Sequence, residues 1–67
     1  MPVVRVSWLE GKDHQQKRQV AAEITDSIVR NTGTDAKYIY VIFDDVAKSD
    51  WAGEGKLYGG PEAPAGA

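Results

Sequence analysis

Two residues of this 67-residue chain carry chemistry that their positions make usable: Pro2, directly after Met1, and Lys12, in the first interruption of the hydrophobic pattern. Removal of Met1 converts the nitrogen of Pro2 from an inert amide into a free secondary amine. Amino-terminal amines titrate near pH 7.7–8.0, and partial desolvation beside cations lowers that value toward neutrality. Pro2 is thus a candidate general base that returns its proton as a general acid. Lys12 stands just ahead of a helix start, where a cation is unfavourable beside the positive end of the helix dipole. An anion to be bound explains that placement better than stability does, although loop lysines are commonly just solvated. A small second residue also permits loss of Met for reasons unrelated to catalysis.

The elements that would position these groups are legible from periodicity. Val3-Val4-Arg5-Val6-Ser7-Trp8-Leu9 alternates, with Val4, Val6 and Trp8 on one face and Val3, Arg5, Ser7 and Leu9 on the other, which predicts a strand. Glu10-Gly11-Lys12 breaks it, and Asp13 with Gln16 forms a capping pair for a helix. Val20, Ala21, Ile24, Ile28 and Val29 recur at helical spacing, and Gly33 is placed to end the helix in a left-handed conformation. Lys37-Tyr38-Ile39-Tyr40-Val41-Ile42-Phe43 then reads as a second strand, apolar enough to be covered on both faces.

Strand, helix and strand in that order imply a right-handed β-α-β unit with parallel strands. Glycines around the short apolar pieces of Trp51–Gly60 suggest a small hairpin or extended arm. The Pro/Ala/Gly-rich residues 61–67 are expected to be a disordered tail, leaving residues 1–60 as one domain. The fold class is α/β (α+β).

Such a chain is too short to bury a comfortable core. It has no cysteine for disulfides, and His14 with scattered carboxylates makes no metal-ligand pattern, so oligomerisation is the expected supplement. One helix covers one sheet face, and the other face is expected to meet another chain. A net charge of −2 with dispersed cations argues against a nucleic-acid partner. No membrane span or secretory leader is evident, so the expected location is the cytoplasm.

Met1-Pro2 opening a strand, Leu9-Glu10-Gly11-Lys12 before the helix, the β-α-β order, and Asp50-Trp51-Ala52-Gly53-Glu54-Gly55 after the second strand together resemble the 4-oxalocrotonate tautomerase family. The likeness covers roughly residues 2 to 58. It implies a hexamer built as a trimer of dimers, with a heterohexamer as the variant. The processed Pro2 amine would shuttle a proton between carbon and oxygen of a small 2-hydroxy-enoic or 2-oxo acid, a chemistry associated with aromatic degradation. No cofactor is implied, because the substrate carbonyl is itself the electron sink.

The resemblance also assigns positions. Lys12 stands where the family has an arginine that binds a carboxylate or stabilises enolate charge. Tyr40 stands at a second family arginine, and Trp51 matches an aromatic that walls the site. Lysine and tyrosine do not reproduce the bidentate fork of arginine, so a dicarboxylate should bind poorly unless Arg5 or another residue compensates. Tyr40 and Trp51 also have ordinary packing readings, Arg5 reads as an ion-pairing or intersubunit residue, and His14 as solvated. Glu54 replaces a family glycine and would orient water in an alternative hydratase or dehalogenase. A non-catalytic assembly subunit is the other alternative.

Overall fold

A computed structural model of the chain describes residues 1–60, so the expectation for the 61–67 tail lies outside the described residues. Strand β1 runs Val3–Leu9, helix α1 His14–Thr32 and strand β2 Tyr40–Val46, followed by the two-residue strands β3, Ala52–Gly53, and β4, Lys56–Leu57. β1 and β2 pair in parallel, with Val3 opposite Tyr40, Arg5 opposite Ile42, Trp8 opposite Asp45 and Leu9 opposite Val46. The ladder is extended at its start by Tyr40 N–H donating to the Pro2 carbonyl (3.1 Å) and at its end by Glu10 N–H donating to the Val46 carbonyl (2.9 Å). This is the expected β-α-β unit.

Helix α1 begins and ends where local chemistry dictates. The Asp13 carboxylate accepts from Gln16 N–H at 2.8 Å, while the Gln16 side chain accepts from Asp13 N–H at 3.0 Å. This reciprocal capping box satisfies two otherwise orphaned donors. At the far end Gly33 adopts φ 75° and its N–H reaches the Val29 carbonyl, a conformation that would strain a residue carrying Cβ. Between the caps, Val20, Ala21, Ile24, Ile28 and Val29 are half-buried.

The second strand starts three residues later than the apolar run. Lys37 and Tyr38 belong instead to a 3-10 turn, Ala36–Tyr38, which Asp35 caps by accepting from Lys37 N–H at 3.2 Å. An aspartate that bonds its own backbone two residues on outcompetes strand propensity. The strand continues through Asp44 and Asp45 to Val46, because Ser7, Trp8 and Leu9 offer a ladder for those residues.

Burial along β1 alternates, with Val4, Val6 and Trp8 half-buried on the helix side. The opposite face is open: Val3 is 54% exposed, Tyr40 51% and Ile42 38%. β2 is therefore covered on one face within the chain, not on both. Ile39, at 8% exposure, is the one buried hydrophobic residue among those described.

β3 and β4 form an antiparallel hairpin with Ala52 opposite Leu57 and Gly53 opposite Lys56. Its two turn residues, Glu54 and Gly55, both have positive φ, 54° and 80°, as a tight I′ turn requires. Glu54 pays a steric penalty there that asparagine tolerates better. Glu54→Asn should stabilise the fold by about 0.5–1 kcal/mol; an unchanged or lower denaturation midpoint would contradict this.

The segment is tied back by Tyr58 N–H donating to the Trp51 carbonyl and Gly59 N–H donating to the Lys48 carbonyl, each at 2.8 Å. A Cβ on Gly59 would lie 2.7 Å from the Ser49 nitrogen and 2.9 Å from the Lys48 carbonyl carbon. These backbone atoms have little room to yield. Gly59→Ala is expected to cost about 1–3 kcal/mol, visible as a lower midpoint in chemical denaturation, and a neutral result would mean the connection repacks freely.

Candidate active site

The parallel register divides the expected site residues into two groups. Pro2 and Tyr40 lie together at the amino-terminal end of the sheet, joined by the Tyr40 N–H to Pro2 carbonyl bond. Lys12 and Trp51 both follow the carboxyl-terminal ends of the strands. A seven-residue strand spans roughly 20 Å, so Pro2 and Lys12 of one chain cannot hold the same small substrate.

At the amino-terminal end Pro2 is half-buried, while Met1 beyond it is 84% exposed. While Met1 is attached the Pro2 nitrogen is an amide with no lone pair for proton transfer. Tyr40 projects on the open face, opposite Val3. Arg5, also on that face, faces Asp44: one guanidinium nitrogen lies 3.3 Å from both carboxylate oxygens, and the Ser7 hydroxyl donates to the same carboxylate at 3.3 Å. Arg5 thus makes an ion pair within the chain, one of the two roles expected of it.

At the other end a cavity of about 350 Å³ opens among Trp8, Lys12, Gln16, Gln19 and Val20. The Lys12 ammonium stands 5.2 Å from the centroid of the Trp8 ring and donates to the Leu9 carbonyl at 3.3 Å. No carboxylate lies within ion-pair distance of Lys12 among the described residues. Its charge is consequently available to an incoming anion. Trp51 is half-buried in the connection after β2, its backbone N–H donating to the Lys48 carbonyl.

Three residues here escaped the sequence reading as site components. Trp8 stacks on Phe43 with centroids 5.0 Å apart and 15° between ring planes, and its indole N–H donates to Asp45 at 2.7 Å. The other Asp45 oxygen pairs with the Lys17 ammonium. Lys17, together with the Trp8 hydrogen bond, holds the Asp45 carboxyl below the usual carboxylate range. A usable signal was present: aligning two strands of equal length in parallel puts Trp8 opposite Asp45, and an indole N–H seeks an acceptor.

The family model described as "Tautomerase enzyme" matches residues 2–59. A probable tautomerase of Ralstonia nicotianae is 73% identical over 59 residues, covering 88% of this chain and 91% of the relative. One from Streptococcus pneumoniae is 35% identical over 57 residues, covering 85% and 95%. The crystal structure of a 4-oxalocrotonate tautomerase homologue superposes with a TM-score of 0.83 at 31% identity, covering 87% of this chain and 92% of that one. The chain belongs to the tautomerase family, with the β-α-β fold of the 4-oxalocrotonate tautomerase homologues. Family and fold together define an isomerase-type enzyme. No helix among the described residues is long and apolar enough to cross a membrane.

Proposed function

We propose that the chain is a cofactor-independent tautomerase acting on a small 2-hydroxy-enoic or 2-oxo monoacid, with Pro2 as the proton carrier once Met1 is removed. The observation that carries this reading is the disposition of groups along β1. Pro2 heads the strand, and an unpaired cation, Lys12, stands beyond its other end at an apolar cavity.

β1 lies at the edge of a two-stranded sheet. Antiparallel pairing of the β1 edges of two copies would bring Pro2 of one copy to the Trp8–Lys12 end of the other, completing a site that neither holds alone. Covering the open face with Val3, Tyr40 and Ile42 requires further copies, and a homohexamer arranged as a trimer of dimers meets both needs. The small buried core supports the same conclusion.

In the proposed reaction the Pro2 amine takes the enol hydroxyl proton of the bound substrate, the carbonyl forms as the C=C electrons shift, and the proton is returned to carbon. Lys12 pairs with the substrate carboxylate and with charge developing on the conjugated oxygen, Tyr40 donates a hydrogen bond, and Trp51 shapes and dries the pocket. A single lysine favours one carboxylate over two. Ketonisation of phenylenolpyruvate and of 2-hydroxymuconate by Met1-free protein tests the reading: the monoacid should turn over with the higher kcat/KM, and inertness toward both would overturn it.

The second reading, hydration or dehalogenation of an unsaturated acid, has one observation in its favour. Glu54 is held at positive φ in an exposed turn, where a carboxylate serves no evident folding purpose. Water addition to an unsaturated acid that is lost in Glu54→Gln would favour it.

A further inference from the structure

The aromatic residue under Lys12 is itself held by a polar clamp, and this gives the candidate anion site a platform. Trp8 is fixed on three sides. Its ring is stacked on Phe43, its indole N–H is bonded to Asp45 at 2.7 Å, and Lys12 Nζ lies 5.2 Å above its centroid. Asp45 is in turn engaged by Lys17 from helix α1. The clamp therefore links β1, β2 and α1 at the wall of the cavity.

The physical consequence concerns how a cation can be oriented without being neutralised. A carboxylate placed beside Lys12 would fix its long side chain but would compete with any incoming anion. An aromatic face attracts an ammonium through its quadrupole and leaves the full charge available. Asp45 makes no ion pair with Lys12, and its two oxygens are occupied by the Trp8 indole N–H and the Lys17 ammonium. The carboxylate is thereby engaged in holding the platform, and the ammonium on the platform is left without an ion-pair partner among the described residues.

We infer that Trp8 is a binding residue of this site, presenting the Lys12 ammonium to the substrate carboxylate, and that Asp45 and Lys17 are positioning residues acting through Trp8. The inference rests on the proposed anion-binding role of Lys12. It adds that the Trp8 ring and Val20 both line the cavity beside the cation and make its lining largely apolar, which suits a carboxylate attached to a flat apolar body such as a phenyl group.

The test is a double-mutant cycle with phenylenolpyruvate and its methyl ester as the acid and neutral probes. Trp8→Leu is expected to raise KM for the acid about three- to tenfold, the range of a partly desolvated cation–π contact, with kcat within about twofold and the ester little changed. Lys12→Ala should raise the acid KM by at least as much, with kcat also falling because Lys12 meets the charge developing on the conjugated oxygen, and the double variant should have an acid KM no worse than that of the worse single variant. Asp45→Asn should show a smaller effect of the same pattern. Additive effects, or equal losses for acid and ester, would show that Trp8 only packs and would overturn the inference while leaving Lys12 its role. If Lys12→Ala leaves the acid KM unmoved, the anion-binding role falls and the inference with it.

A ligand-free measurement decides the geometry whether or not the enzyme turns over these probes. The Lys12 side-chain methylene protons in wild type should be shifted upfield by the Trp8 ring current, more weakly so in Asp45→Asn and not at all in Trp8→Leu. Ordinary lysine shifts in the wild-type protein would overturn the platform.

Discussion

Replacing Pro2 by alanine is expected to lower kcat/KM for enol ketonisation by about a hundredfold or more, the scale of a lost general base. Alanine still ends in an amine after Met1 removal, but a primary one, without the ring that fixes the nitrogen at the head of β1. The Tyr40 N–H to Pro2 carbonyl bond is a backbone contact that alanine retains. The fold and the assembly should therefore survive, and circular dichroism with native mass spectrometry separates a chemical loss from a structural one. Comparable activity in wild type and variant, with both correctly processed, would remove Pro2 from the mechanism.

The second large effect concerns the open sheet face. Val3, Tyr40 and Ile42 expose apolar surface that a chain with a single buried hydrophobic residue among those described can ill spare. In the proposed hexamer this face is covered by other copies. Ile42 lies directly opposite Arg5 in the register, so Ile42→Lys places two cations side by side, a pairing that is unfavourable even when solvated. On assembly the added charge would be buried without a partner, at a cost of about 3–5 kcal/mol, or two to four orders of magnitude in the association constant. Native mass spectrometry at micromolar protein should show a hexamer for wild type and dimers, monomers or unfolded chain for Ile42→Lys. A hexamer that persists in the variant would mean that this face is not the interface.

Much of the framework followed from local rules. The start of α1 was legible because Asp13 and Gln16 satisfy each other's backbone donors, and its end because Gly33 alone suits the left-handed cap. The start of β2 was not, since strand propensity at Lys37 and Tyr38 concealed an Asp35-capped turn. Its end was not either, because Asp44 and Asp45 look like loop residues until the β1 ladder supplies their partners.

The site shows the same division. Pro2 and Lys12 stood out for what their own positions do to an amine and a cation. The Trp8–Asp45–Lys17 clamp did not, because it joins residues from three elements and arises only from the register between them. The separation of Pro2 and Lys12 to opposite ends of β1 was legible, because the strand read from Val3 to Leu9 lies between them.

The most direct test of the central claim alters the Pro2 nitrogen and no side chain. The ketonisation rate of phenylenolpyruvate should be measured for the processed protein, which begins at Pro2, and for a form with Met1 retained, each verified by intact mass. The account predicts rapid turnover by the first and loss of at least about a hundredfold in the second, in which the nitrogen is an amide. Equal rates would contradict it and would place the proton transfer elsewhere in the protein.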